Sequence, residues 1–239
     1  MAARLVAHPR GGASLLPLHP MPTPPEPAPH PAAPEAAAGS ALLRGPRQAD
    51  RRLVLLHGWG ADADDLLDLG RELLGAEAAT VSVVGLRAPL PHPGGTGRQW
   101  YDLGVPGWPQ LPAARADLLH RLQQLSEEVP LERTALLGFS QGAAMAIDVA
   151  IGSGLPLAAL IGCSGYLHPD WDPQRPLAPI LLTHGRQDPV VPYAACEALE
   201  QRLSESGGAV TVLPFSGGHG IDPLLFPAMR EFLGRAWQG

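Results

Sequence analysis

A glycine-flanked serine between an apolar run and a small-residue run constrains this chain more than any other feature. Thr134-Ala135-Leu136-Leu137 leads into Gly138-Phe139-Ser140-Gln141-Gly142, and Ala143-Ala144-Met145-Ala146-Ile147 follows. That order is strand, sharp turn, helix. Glycines on both sides permit a tight backbone and a close helix–strand approach, and such a turn lifts a serine Oγ above the end of a sheet. The five-letter pattern alone is weak, because random order in this composition gives roughly 0.1 copies. Its weight comes from the flanking strand and helix.

From Arg52 onward, short apolar runs alternate with amphipathic ones. Leu53-Val54-Leu55-Leu56 and Thr80-Val81-Ser82-Val83-Val84 read as strands. Leu66, Leu67, Leu69, Leu73 and Leu74 predict a helix over Asp62 to Leu74, with Asp62 placed to cap it. A helix from Pro112 to Val129 rests on Leu118, Leu119, Leu122 and Leu125 and is stopped by Pro130. After the serine turn come strands at Leu157 to Cys163 and Pro179 to Thr183, then a helix at Tyr193 to Leu203. Strand Val210 to Leu213 and helix Leu224 to Trp237 complete the pattern. Apolar strands alternating with helices predict a largely parallel α/β sheet covered on both faces. Active residues in such sheets sit on loops beyond the carboxyl ends of strands.

The chain divides near residue 50. Between Pro20 and Pro34 eight of fifteen positions are proline, which removes amide donors and fixes φ, so neither a helix interior nor a central strand forms there. Residues 1–50 are therefore expected to be a Pro/Ala-rich segment, partly disordered, with Ala3 to Ala7 and Leu15-Leu16 as candidate short edge strands. Residues 51–239 are expected to be the folded domain. A formal charge of -6, with scattered arginines and no lysine, gives no electrostatic case for nucleic acid. No apolar run approaches the roughly 18 residues of a membrane span, and the N-terminus lacks an uninterrupted signal core. A cytoplasmic enzyme without integral membrane association is expected. Cys163 and Cys196 are too few for a disulfide framework, and Cys163, within an apolar run, reads as a buried small hydrophobe.

A serine hydroxyl attacks when a base takes its proton and a third group holds the base's tautomer. In sheets of this kind the chain order is serine, acid, histidine. After Ser140 only His168, His184 and His219 remain. Asp188 follows the strand through Thr183 and precedes Pro189-Val190-Val191-Pro192; only His219 lies beyond it, in Phe215-Ser216-Gly217-Gly218-His219-Gly220. Asp170 and Asp172 lie in a Pro/Trp loop, and Asp148 sits too far down the helix to reach a base above the sheet. Asp222, before Pro223, reads as the cap of the last helix. His184 is expected to shape the acid loop. Two backbone donors for a developing oxyanion follow: Gln141 N–H at the helix start, and Trp59 N–H within His57-Gly58-Trp59-Gly60. His57 precedes the acid and reads as a loop-ordering residue.

Five stretches together resemble one family: Leu55-Leu56-His57-Gly58-Trp59-Gly60-Ala61-Asp62, Arg98-Gln99-Trp100-Tyr101-Asp102-Leu103, Gly138 to Met145, His184 to Pro192, and Gly218-His219. It is the small carboxylesterase, acyl-protein thioesterase and lysophospholipase family of serine α/β-hydrolases. The resemblance runs in order from about Arg52 to Trp237. It implies an α/β-hydrolase fold, esterase or thioesterase activity, no metal and no organic cofactor; the substrates expected on our reading are small to medium acyl esters or thioesters, lipid-derived ones included. It places Trp100 and Leu103 nearest the acyl side. The Pro-rich N-terminal stretch is outside the family pattern, and the short Leu103 to Leu111 segment leaves little room for a large lid.

Trp59, Trp100, Tyr101, Leu103, Trp108, Leu167 and Trp171 concentrate apolar surface on loops expected near the serine, which suits an acyl site. Trp100, Leu103 and Leu167 are the substrate-contact candidates. The rival reading is a catalytically silent scaffold that binds an apolar ligand, since fold alone does not fix function. Such a scaffold is expected to have lost Ser140, Asp188 or His219, and all three are present.

Overall fold

Continuous apolar runs become central strands because both faces of this sheet are covered. The computed structural model describes residues 41–46, 49–174 and 177–238; the proline-rich stretch and the candidate strands at Ala3 to Ala7 and Leu15-Leu16 lie outside them. In chain order the elements are β1 (Ala41–Arg44), β2 (Arg51–Leu56), α1 (Leu67–Leu74), β3 (Val81–Leu86), β4 (Leu90–Pro91) and β5 (Arg98–Gln99). Then come α2 (Leu111–Leu125), β6 (Thr134–Phe139), α3 (Gln141–Gly152), β7 (Ala159–Cys163), β8 (Ile180–Gly185), α4 (Ala194–Glu205), β9 (Val210–Phe215) and α5 (Phe226–Ala236). Seven strands form one sheet in the order β1-β3-β2-β6-β7-β8-β9. All neighbours run parallel except β1, which pairs antiparallel with β3 through Ala41 opposite Leu86.

Side chains alternate across the sheet. Leu53 and Leu55 join Leu67 and Leu73 of α1 and Met229 and Leu233 of α5 in one layer. Val54 and Leu56 join Leu118 and Leu122 of α2, Met145 of α3 and Leu199 of α4 in the other. Burying each such side chain contributes about 1.5–3 kcal/mol, so the alternation fixes the register of every central strand. Among the described residues no helix is long and apolar enough to cross a membrane.

Three local expectations change. The helix anticipated from Asp62 starts later, at Leu67, and Asp62 does not cap it. Its Oδ1 instead accepts from Arg87 Nε at 2.7 Å and from the Ala63 N–H at 2.6 Å. A long-range ion pair has taken the side chain from the cap. The sheet's first described strand, β1, falls at Ala41–Arg44, a stretch not among the candidate edge strands named before residue 51. The two-residue hairpin β4–β5 was also unforeseen; it matters because the Gly60 N–H donates to Arg98 O at 2.9 Å and the Arg98 N–H to Ala61 O at 2.8 Å. The loop after β2 is thereby tied down. Asp222 behaves as expected: its carboxylate accepts the Leu224 N–H at 2.9 Å, capping the 3-10 turn Pro223–Leu225 that leads into α5.

The serine turn is where the chain is tightest. Ser140 holds φ 54° and ψ -119°, a strained region for a residue with a Cβ. A Cβ on Gly142 would lie 2.2 Å from the Leu56 carbonyl oxygen and 2.5 Å from that of His57, and one on Gly138 2.4 Å from the Gly142 oxygen. Three backbone segments meet there with no space for a methyl group. Gly142→Ala is expected to destabilise the fold by about 2 kcal/mol or more, lowering Tm by roughly 4–8 °C or more. Thermal unfolding followed by circular dichroism checks this, and an unchanged Tm would contradict the close approach.

Candidate active site

Four loops converge at the carboxyl ends of β2, β6, β8 and β9. β6 hands the chain into the turn at Ser140, whose N–H donates to Cys163 O at 2.9 Å. The Ser140 carbonyl accepts the Ala143 and Ala144 N–H groups, both at 3.0 Å, and so starts α3 at once. The hydroxyl is left half-buried above the sheet.

His219 arrives from the glycine loop after β9, with its Nε2 3.0 Å from Ser140 Oγ and its Nδ1 2.7 Å from Asp188 Oδ2. A carboxylate only accepts, so Nδ1 carries the proton and Nε2 is free to accept the serine O–H. Its ring lies 4.9 Å from that of Phe139, tilted by 41°. Asp188 is held in its own turn after β8. Its Oδ1 accepts the Val190 and Val191 N–H groups at 2.8 and 2.9 Å. Burial opposes ionisation of this carboxyl, but the bonds from His219, Val191 and Val190 together outweigh it and hold the pKa below its ordinary value. His184 donates from Nε2 to Val191 O at 2.8 Å, closing the acid loop as the sequence suggested.

The loop after β2 abuts the serine: a Cβ on Gly58 would sit 3.4 Å from the Ser140 Cβ. Among the described residues, no backbone carbonyl takes up the Trp59 N–H or the Gln141 N–H. His57 orders this loop. The Ala88 N–H donates to its Nε2 at 3.1 Å, which puts the ring proton on Nδ1, donated to Gly58 O at 2.8 Å. Burial pushes the His57 pKa down, keeping the ring neutral. The Trp59 indole, 43% exposed, donates from Nε1 to Gln99 Oε1 at 2.9 Å and packs edge-on against His92.

Of the three substrate-contact candidates, Trp100 is corrected. It is wholly buried, its Nε1 donating to His57 O at 2.9 Å, so the indole braces the loop after β2 and presents no surface to a ligand. Leu103 is 39% exposed and remains available. Leu167 is half-buried and packs against the core layer that contains α3. A cavity of about 270 Å³ borders His219, but its lining runs from Phe215 to Asp222 and includes neither Ser140 nor the loop after β2. Cys163 is buried, which raises its thiol pKa to about 12; it is inert packing.

Two features escaped sequence reasoning. The Gln141 side chain is buried, donating from Nε2 to Tyr101 O at 2.8 Å while its Oε1 accepts the Trp100 N–H at 3.0 Å. Asp148 does stay away from His219, but it pairs with His168, Nδ1 to Oδ2 at 2.5 Å. The signal for the second was thin: a histidine left over once His219 and His184 had roles. Among the described residues, no group of three or more His, Cys, Asp or Glu side chains is placed to hold a metal ion.

Comparison with known proteins agrees with this architecture. The sequence matches the phospholipase/carboxylesterase family over residues 39–236. Esterase YpfH of Escherichia coli (strain K12) is 30% identical over 187 residues, covering 74% of this chain and 78% of its own length. Acyl-protein thioesterase 1 of Neurospora crassa is 29% identical over 129 residues, 49% of this chain and 51% of its own. The crystal structure of esterase PE8 superposes with a TM-score of 0.73 at 28% identity, covering 82% of this chain and 98% of that one. With its two-sided parallel sheet and matching sequence, the chain belongs to the phospholipase/carboxylesterase family of α/β-hydrolases.

Proposed function

We propose that this protein is a serine carboxylic-ester hydrolase or acyl thioesterase using Ser140, His219 and Asp188. The observation that carries the reading is the continuous hydrogen-bonded line from Ser140 Oγ through the imidazole to Asp188, at 3.0 and 2.7 Å. In this reaction Ser140 Oγ attacks the acyl carbonyl as Nε2 of His219 accepts its proton. Asp188 keeps the proton on Nδ1 and stabilises the imidazolium that forms. The backbone N–H groups of Gln141 and Trp59 receive the developing oxyanion. The imidazolium then gives its proton to the departing alcohol or thiol, leaving an acyl-enzyme. Water, activated by the same histidine, releases the acid.

Small to medium acyl groups suit the surroundings. Trp108 packs 5.2 Å from the Tyr101 ring and pins the segment after Leu103, which supports an open site rather than one under a long lid. Cys163 and Cys196 are both buried free thiols, and on that chemistry we place the enzyme in a reducing, cytoplasmic compartment. A silent ligand-binding scaffold is the weaker alternative, because it gives no reason for the imidazole to keep its orientation between serine and carboxylate.

Ser140→Ala is expected to abolish hydrolysis of a p-nitrophenyl ester and labelling by a fluorophosphonate probe while the circular dichroism spectrum stays unchanged. Retained turnover would count against the assignment. Asp188→Asn should lower kcat by roughly three to four orders of magnitude with little change in KM. The same variant tests the ionisation. A carboxylate whose folded pKa is depressed contributes stability above its unfolded value of about 3.9 and loses it as pH falls through the folded value. Urea unfolding should therefore show wild type losing stability relative to Asp188→Asn between neutral pH and pH values below about 4. A pH-independent difference would contradict the bonding described for Asp188.

A further inference from the structure

Buried polar groups that the hydrolytic steps do not use form a second hydrogen-bonded chain alongside α3. His168 Nδ1 lies 2.5 Å from Asp148 Oδ2, His168 Nε2 lies 2.8 Å from the Tyr101 hydroxyl, and that hydroxyl lies 2.5 Å from the hydroxyl of Tyr166. Arg115 Nε also donates to Asp148 Oδ2, balancing the carboxylate's charge. His168 and Tyr101 are buried, and Asp148 nearly so. Burial pushes the Tyr101 phenol well above its ordinary pKa and Tyr166 to about 12, so both keep their protons.

A carboxylate only accepts, so the ring proton on Nδ1 faces Asp148 and sets the direction of the chain. Asp148 accepts from Nδ1, so Nε2 has a lone pair and accepts from Tyr101. The Tyr101 oxygen, with its O–H directed at Nε2, accepts from Tyr166. Every link is satisfied, and the Tyr101 ring has one orientation.

Two members of this chain, Asp148 and Tyr101, attach to the same helix. Asp148 lies on α3, and the Tyr101 carbonyl accepts Gln141 Nε2 at the helix's first residue, 2.8 Å away. The two attachment points are about 10 Å apart along the helix axis. Trp108, at φ 46°, packs its ring 5.7 Å from that of His168 and 6.1 Å from that of Tyr166. The loops carrying residues 100–101 and 166–168 are thus stapled to the helix that begins beside the serine.

We infer that the Asp148–His168–Tyr101 chain is a positioning relay, holding the 100–101 backbone against Gln141 so that the Gln141 N–H points where the oxyanion develops. This rests on the hydrolytic reading above. None of its members touches the reacting atoms; each acts through Gln141. A purely structural network would change stability and leave the ratio of transition-state to ground-state binding alone, whereas a relay changes that ratio.

The test compares Tyr101→Phe, His168→Leu and His168→Gln in the full chain. Glutamine replaces the imidazole functionally, its amide N–H donating to Asp148 and its carbonyl accepting from Tyr101. Measured quantities are kcat and KM for p-nitrophenyl butyrate, and the affinity for an alkyl trifluoromethyl ketone, whose serine adduct carries the oxyanion. Tyr101→Phe and His168→Leu should each lower kcat about tenfold with KM within about twofold. Ketone affinity should fall by the same factor as kcat, and His168→Gln should recover most of the loss. Wild-type kcat and ketone affinity in Tyr101→Phe, a loss confined to KM, or a His168→Gln no better than His168→Leu would overturn the relay. If His168→Leu fails to fold, Tyr101→Phe decides, since it removes one oxygen and keeps the ring. Wild-type protein that leaves Ser140 unlabelled by a fluorophosphonate overturns the hydrolytic reading itself; labelled wild type beside an unaffected Tyr101→Phe overturns the relay alone.

Discussion

Backbone packed against backbone at Gly142 holds the rest of the site in place. With the carbonyl oxygens of Leu56 and His57 at 2.2 and 2.5 Å from where a side chain would begin, the first turn of α3 rests directly on the end of β2. The serine turn and the loop bearing Trp59 therefore cannot move independently. Interiors packed this closely transmit displacement rather than absorb it. Strain at Ser140 persists because the strand before it, the helix after it and the Cys163 carbonyl beneath it all determine the same conformation.

On that platform, hydrogen-bond direction does the selecting. Four of the imidazoles around the site are each held by a different partner set. His219 and His168 face carboxylates through Nδ1, while His57 gives its Nδ1 proton to Gly58 O and His184 gives its Nε2 proton to Val191 O. Only His219 has its second nitrogen turned to a serine hydroxyl. That contact is what separates His219 from the others and is the ground on which the catalytic role is proposed for it; the other three rings brace loops through their hydrogen bonds. Trp100 belongs with the braces, because its buried indole N–H needs the His57 carbonyl as acceptor.

Much of this was legible in the amino-acid order. Strands β2, β6, β7 and β8 announce themselves because parallel strands buried on both faces must be continuously apolar. Ser140, Asp188 and His219 could be picked out as candidates because glycine-rich turns follow strands at each position, and only His219 lies beyond Asp188. What stayed hidden depends on distant partners. Asp62 reads as a cap until Arg87, 25 residues on, claims its carboxylate. A loop tryptophan such as Trp100 looks like ligand surface until its buried acceptor is known. β4 and β5 have two residues each, too short for any period to show, and exist only through each other. The Asp148–His168 pair joins a helix to a loop twenty residues away, a contact that no local pattern encodes.

The claim that Ser140 is the attacking group has a direct physical signature, a covalent acyl intermediate. Acid-quenching the protein during turnover of p-nitrophenyl butyrate, followed by peptide mass spectrometry, should find a butyryl adduct on the peptide containing Ser140, with the modification on that hydroxyl. Sustained hydrolysis with an adduct on a different residue, or with no adduct under conditions that slow deacylation, would contradict the account.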